Sequence, residues 1–111
     1  MAAIGKRANV ETPSLIVTHQ GNAISPPDRE QVYRSVCKVL FNAGHGLTPR
    51  EAEVCASIVL GRRVAGTSRK LNISAHTVAT HRKRAYSKLG ISSQNELFAR
   101  YFDSLQALHL S

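Results

Sequence analysis

The sequence contains no tryptophan and only two cysteines among its 111 residues. Cys37 and Cys55 stand apart on predicted helices without metal-ligand spacing, so we expect buried free thiols, with neither a disulfide framework nor a metal site. No apolar run approaches the length that spans a membrane, and the N-terminus lacks the apolar segment of a signal peptide. These absences favour a cytoplasmic protein without a membrane partner.

Catalytic patterns are also missing. The chain shows no phosphate-binding loop, no metal cluster and no Ser-His-Asp arrangement that spacing alone makes credible. We therefore expect no enzyme activity and no cofactor.

Acidic residues are absent from the whole stretch between Glu53 and Glu96, which holds eight lysines and arginines. The complete chain has a formal net charge of +8 and a pI of about 10.2. A basic domain of this size favours a polyanionic partner, nucleic acid before membrane. A solvated basic surface is the alternative.

The N-terminal part is less regular. Residues 1–13 show no sustained period and are predicted to form an arm, and residues 14–18 have the β-branched character of a short strand. A lone strand needs a neighbour, which another subunit could supply. A helix is predicted to begin with Ser25 as its cap, because prolines and an acidic residue follow it. Its apolar stripe comprises Val32, Val36, Val39 and Leu40, with Tyr33, Cys37 and Phe41 beside it.

Two helices are predicted in the middle of the chain. Thr48 caps the first, Pro49 takes its first helical position, and Glu51 closes a capping box. Gly61 ends that helix. The second spans residues 64–71, although glycine, threonine and serine in its interior weaken the helical signal.

A further helix is predicted to begin after Ser74, whose hydroxyl can accept a hydrogen bond from a backbone N–H of the first turn. Apolar or semi-polar residues then recur at three- and four-residue steps: Val78, His81, Ala85 and Leu89. Gly90 ends the helix. A second capping box, Ser93 with Glu96, opens a last helix that is rich in aromatic residues and leucine.

Several sequence blocks occur in a fixed order from residue 47 to about residue 102. They are Leu47-Thr48-x-Arg50-Glu51-x-Glu53-Val54, Gly61, Leu71-x-Ile73-Ser74-x-x-Thr77-Val78-x-x-His81, Lys88-Leu89-Gly90-Ile91 and Asn95-Glu96-Leu97. This pattern resembles the LuxR-type (GerE-like) helix-turn-helix domain of bacterial transcription regulators. The resemblance implies an all-α, four-helix DNA-binding domain over residues 47–111, a recognition helix over residues 74–89 and a dimerising last helix. Residues 1–46 would then add the arm, the short strand and an extra helix, as an interaction or dimerisation segment.

The sequence departs from the family pattern before the turn. Thr67 stands where the family usually has a core isoleucine, and Ala65 and Ala79 replace basic residues that often contact DNA. Basic residues at neighbouring positions are expected to supply the missing charge: Arg62, Arg63 and Arg69.

Helical geometry predicts which residues of the recognition helix contact the bases of double-stranded DNA. The side opposite the apolar seam carries His76, Ala79, Thr80 and Lys83, which we expect to face the bases. Arg82 and Arg84 flank that side and are expected to hold phosphates. The full set of candidate DNA-binding residues is Thr48, Arg50, Arg62, Arg63, Arg69, Ser74, His76, Thr77, Ala79, Thr80, Arg82, Lys83, Arg84 and Lys88.

Two of these assignments leave alternatives open. Thr48 can be a pure helix cap rather than a phosphate contact. His81 is expected to be a structural histidine rather than a base reader. His76 and His81 are five residues apart, off the helical ligand spacing of four, so no metal site is indicated.

The last helix carries more apolar surface than a small domain needs, which predicts a homodimer. The candidate dimerisation residues are Leu97, Phe98, Tyr101, Phe102 and Leu105. Packing within the monomer is the alternative. Two other functions also remain open. One is a polymerase-bound module like region 4 of a sigma factor, with RNA polymerase as partner. The other is a module that binds another regulator through residues 14–41.

Overall fold

The computed structural model describes residues 26–110, which form five α-helices. In chain order they are α1 (Pro26–Phe41), α2 (Pro49–Val59), α3 (Val64–Leu71), α4 (Ala75–Leu89) and α5 (Gln94–Leu110). Residues 26–110 contain no β-strand, so the predicted all-α class is confirmed for this part of the chain. The predicted arm, the predicted strand at residues 14–18 and the Ser25 cap lie outside the described residues.

The start of α2 forms the predicted capping box. The Glu51 N–H donates to the Thr48 hydroxyl at 3.1 Å, and the Thr48 N–H donates to the Glu51 carboxylate at 2.9 Å. These reciprocal bonds satisfy two N–H groups that have no partner within the helix. Pro49 lies in the first turn, where its missing N–H costs nothing, and Leu47 before the cap is buried.

A left-handed residue joins α3 to α4. Asn72 has φ 56° and ψ 48°, a conformation that asparagine tolerates better than most residues. The Ser68 hydroxyl donates to the Ile73 carbonyl across this turn. Ser74 then caps α4, since its hydroxyl accepts the Thr77 N–H at 3.0 Å. The predicted helix-turn-helix is therefore closed by local hydrogen bonds.

The end of α4 and the start of α5 follow the sequence with one difference. Gly90 ends α4 with φ 72°, as expected for a glycine after a helix. The Glu96 N–H donates to the Ser93 hydroxyl at 3.2 Å, which is half of the predicted capping box. The return bond comes from the Ser92 N–H, at 3.2 Å from the Glu96 carboxylate.

The core is centred on α2, which is buried on more than one face. Ala52, Val54, Cys55, Ala56 and Ser57 are each exposed by 1% or less. Because four of these five side chains are small, neighbouring helices can approach α2 closely. The surrounding core side chains come from α1, α4 and α5: Tyr33, Val36, Leu40, Ala85, Leu89 and Leu97.

Helix α1 belongs to the same packed body, since it contacts both α2 and α5. Its inward stripe is Tyr33, Val36 and Leu40. The expectation that Val32 lies in this stripe is wrong, because its side chain is 37% exposed. The side chain of Tyr33 is buried instead, and the cations of Arg62 and Lys70 lie over its ring. The packed body thus extends to the N-terminal side of residue 47.

Both cysteines are free, as expected. Cys55 is fully buried, and this burial raises the pKa of its thiol to about 12. Cys37 is half-buried, and burial raises its pKa as well. Both thiols are protonated at neutral pH, so neither is activated as a nucleophile.

Candidate nucleic-acid interface

The inward face of α4 carries the predicted apolar residues. Those buried are Val78, Ala85 and Leu89. The opposite side carries exposed or half-buried residues: His76, Ala79, Thr80, Lys83 and Arg84. The Thr80 hydroxyl donates to the His76 carbonyl at 3.1 Å, so its proton is used within the helix. Its oxygen can still accept a hydrogen bond, as from a base amino group.

A group of cations on and beside α3 and α4 has no acidic partner among the described residues. Its members lie on α4, on α3 and at the residue before α3: Arg63, Arg69, Arg82, Lys83 and Arg84. Within residues 26–110, none of these five side chains forms an ion pair. We call them the unpaired cations. Their charge is unopposed by carboxylates, so it favours the approach of a polyanion.

Three cations among the predicted DNA contacts instead have partners inside the protein. Arg50 donates to Glu53 at 2.9 Å, and Arg62 donates to the Ser57 hydroxyl at 3.3 Å. Lys88 donates to Glu51 at 2.7 Å and to the Gly46 carbonyl at 3.1 Å. These side chains each have a partner within the protein, and their contact with DNA stays a prediction.

Glu51 links the capping box to α4. Its side chain is 4% exposed and receives hydrogen bonds from both Thr48 and Lys88. Burial alone raises the pKa of this carboxyl, but the hydrogen bonds from Lys88 and Thr48 outweigh burial and lower it. Glu51 is therefore ionised at neutral pH. Thr48 caps α2, and its contact with a DNA phosphate stays a prediction.

Sequence analysis missed a second cluster, which joins α1 to the helix-turn-helix. Lys70 on α3 donates to Glu30 on α1 at 2.6 Å. The Lys70 ammonium also lies 4.4 Å from the centre of the Tyr33 ring, and the Arg62 guanidinium carbon lies 5.2 Å from it. Cation–π attraction of this kind stabilises the contact. The one sign of this cluster in the sequence is Tyr33, an aromatic residue beside the apolar stripe of α1.

His81 is half-buried on α4, and its Nδ1 atom is buried without a hydrogen-bond partner among the described residues. It does not lie among the exposed residues of the outward side. The described residues contain no group of three or more histidine, cysteine or acidic side chains that could hold a metal ion.

Helix α5 shows two apolar faces. Leu97 is fully buried and Tyr101 packs against the core, whereas Phe102 is 58% exposed. Phe98 and Leu105 are half-buried and lie on the same side as Phe102 by helical spacing. Helix α1 contacts α5, so part of its apolar surface is covered within the monomer. On the face of Phe98, Phe102 and Leu105, Phe102 is the exposed residue.

Comparison with known proteins points in one direction. The family model described as "Bacterial regulatory proteins, luxR family" matches residues 45–100. These residues contain α2, α3, α4 and the first part of α5. The family resemblance seen in the sequence is therefore confirmed.

The chain is also similar to the transcriptional regulatory protein UhpA of Escherichia coli (strain K12). The two are 39% identical over 57 residues, which is 51% of this chain and 29% of UhpA. The chain thus matches less than a third of the length of that relative. No solved structure matches the chain. Among the described residues, no helix is long and apolar enough to cross a membrane.

Proposed function

The chain belongs to the luxR family of bacterial regulatory proteins, and we propose on that premise that it is a sequence-specific, homodimeric regulator of transcription. Its ligand is double-stranded DNA, with α4 inserted in the major groove. The unpaired cations of α4 and of α3 with the residue before it carry the proposal. Such insertion suits a short helix that exposes a basic side and buries its other side in the core.

The outward side of α4 suggests a division of roles. Lys83 is exposed near its centre and can donate to the guanine acceptors O6 and N7. The Thr80 oxygen can accept from a base, and Ala79 can lie against a thymine methyl group. Arg84 is exposed farther round the helix and suits a phosphate. These assignments follow the sequence prediction and agree with the observed exposures.

Dimerisation would use the second apolar face of α5, formed by Phe98, Phe102 and Leu105. A two-fold dimer presents one patch to its own copy and places two α4 helices against a pseudo-palindromic site. Half-sites would lie about one helical turn of DNA apart.

The proposal is tested by selecting binding sites from a randomised duplex library with the full chain, followed by titration over a range of salt. Affinity for the selected site should fall roughly 10³–10⁵-fold between 50 and 200 mM salt if a dimer makes about 6–10 phosphate contacts. A flat salt response on every duplex would overturn the proposal. Selection that succeeds only with RNA polymerase present would instead favour the polymerase-bound module.

Lys83→Ala with Arg84→Ala as matched control tests the assigned face. Loss of a base contact should cost about 1–3 kcal/mol on the selected site and relax its preference at one position per half-site. Loss of a phosphate contact should weaken the selected and a scrambled duplex alike. Equal losses on both duplexes for both variants would mean that Lys83 reads no base.

A further inference from the structure

Helix α1 lies outside the residues that the family model matches, which begin at residue 45. It nevertheless packs against α2 and α5, and its side chains reach the helix-turn-helix. That contact consists of Glu30 and Tyr33 on α1, Lys70 on α3 and Arg62 before α3, which we call the Tyr33 cluster. Two of its four members therefore come from a helix outside the matched domain.

Helix α3 has little support of its own. It is eight residues long and includes Gly66, and Arg63 at its N-cap position makes no side-chain capping hydrogen bond. Isolated helices shorter than about 12–15 residues are marginal in water, and a missing cap and an interior glycine weaken a helix further. The position of α3 therefore depends on its contacts with other helices.

The Tyr33 cluster holds α3 from both ends. The guanidinium carbon of Arg62, two residues before α3 begins, lies 5.2 Å from the centre of the Tyr33 ring. The Lys70 ammonium, in the last turn of α3, lies 4.4 Å from the same centre and 2.6 Å from the Glu30 carboxylate. The ring is 5% exposed and the Lys70 side chain is 23% exposed, so water weakens these attractions less than on an open surface.

A shift of α3 would be passed to α4 through the turn. The Ile73 N–H donates to the Ser68 carbonyl at 3.1 Å, and the Ser68 hydroxyl donates to the Ile73 carbonyl. Ser74, the next residue, caps α4. Because these bonds tie the last turn of α3 to the start of α4, the place of α3 sets the place of the turn.

We infer that Tyr33 and Glu30 are positioning residues for the helix-turn-helix. Through Arg62 and Lys70 they hold α3 in the place that the turn and α4 require, so residues 26–41 work as part of the DNA-binding unit. Neither residue needs to contact DNA for this role. The consequence for DNA rests on the proposed function, whereas the hold on α3 does not. Displacement of α1 would then weaken DNA binding from a distance.

The first test follows amide hydrogen exchange of the isotope-labelled full chain by NMR. Tyr33→Leu keeps an apolar side chain but removes the ring, so amides of α3 should exchange roughly 5- to 30-fold faster through local opening. Tyr33→Phe keeps a ring under both cations and should exchange like the native protein.

Leu40→Val is the matched control for this test. It shortens a buried side chain of the same helix, about 10 Å along α1 from Tyr33. It should lower the stability of the core and speed exchange in α2, but it should leave the local opening of α3 unchanged. Faster exchange of α3 in both Tyr33→Leu and Leu40→Val, or in neither, would overturn the inference.

A double-mutant cycle tests the contact of Glu30. Glu30→Gln should speed exchange in α3 about 2- to 5-fold, as expected for a partly exposed ion pair. In a Lys70→Gln background the same substitution should have no further effect, because its partner is gone. An equal effect in both backgrounds would mean that Glu30 does not act through Lys70, and Glu30 would lose its assigned role.

The second test measures binding to a duplex that carries the selected site. Tyr33→Leu should lower the affinity about 5-fold, the lower end of common coupling between two sites, and Tyr33→Phe should bind like the native protein. The salt slope should stay unchanged in both variants, because neither alters a charge or removes a phosphate contact. A smaller slope in Tyr33→Leu would mean that the cations of the cluster contact phosphates. Unchanged affinity would mean that α3 does not need the cluster, and either result overturns the inference.

The two proposals can fail separately. If the native chain binds no duplex but Tyr33→Leu still speeds exchange in α3, the hold on α3 stands and the proposed function fails. If the native chain binds its duplex and all variants exchange and bind alike, the proposed function stands and the positioning role fails. Circular dichroism establishes that each variant is folded. If Tyr33→Leu does not fold, Tyr33→Met, with an unbranched apolar side chain, takes its place in both tests.

Discussion

Replacing Lys88 with methionine would take away the cation that contacts the buried carboxylate of Glu51. Removing one partner of a buried ion pair typically costs about 3–5 kcal/mol. The Lys88 side chain is 37% exposed, so water can reach the site, and the Thr48 N–H still bonds the carboxylate. We therefore expect a loss of about 3 kcal/mol, at the lower end of that range. Urea denaturation followed by circular dichroism measures it.

The pH dependence of this loss identifies its cause. In the native protein the pKa of Glu51 is lowered, so its stabilising contribution is present above the ordinary glutamate pKa and is lost as the pH falls through the folded value. In Lys88→Met the main lowering contact is gone and burial remains, so the pKa of Glu51 should rise. Protonation of Glu51 then stabilises the variant, whereas it destabilises the native protein. The difference in unfolding free energy should shrink as the pH falls from neutral through the interval in which this carboxyl becomes protonated.

A double variant provides the control. In a Glu51→Gln background, Lys88→Met should cost less, and its cost should not depend on pH over that interval, because no carboxylate remains to titrate at this position. The reasoning is refuted if Lys88→Met alone leaves the free energy of unfolding unchanged. If that variant also reduced the salt slope of DNA binding, Lys88 would be the phosphate contact that the sequence predicted.

Two further substitutions test other parts of the structure. Thr67→Val keeps the side-chain shape and removes a buried hydroxyl that has no hydrogen-bond partner among the described residues. It should raise the free energy of unfolding by about 1 kcal/mol in urea denaturation. A decrease would mean that the hydroxyl is bonded in solution. Phe102→Asp places a charge on the second apolar face of α5 and should convert a dimer to monomer in sedimentation, whereas Gln31→Asp, exposed on α1, should not. A wild-type chain that sediments as a monomer at micromolar concentration would overturn the proposed dimer.

The features that the sequence predicted well depend on neighbours within about four residues. The capping box of Thr48 with Glu51, the Ser74 cap and the stop at Gly90 all involve such short-range partners. The inward and outward sides of α4 followed from the helical period alone, which explains why Lys83 could be placed on its exposed side.

The features that the sequence did not predict depend on partners distant in the chain. The sequence presents Lys88 as one more cation of a basic helix. Its ion-pair partner, Glu51, lies 37 residues away along the chain. The buried ring of Tyr33 contacts Arg62 and Lys70, and no local sequence pattern connects these two residues to α1. Residues of four helices line one cleft, so only tertiary packing could bring Arg62, Arg63 and Arg82 together there.

The burial of α2 on more than one face has a consequence for amide hydrogen exchange. Amides in the middle of α2 can reach solvent only when the whole domain opens, so their exchange should report its global unfolding free energy. Amides of α4 near its exposed side and of the last turns of α5 can open locally. A ligand that slows exchange in α4 alone would mark contact at the surface. Slowing that reaches α2 would mark a change in the stability of the entire domain.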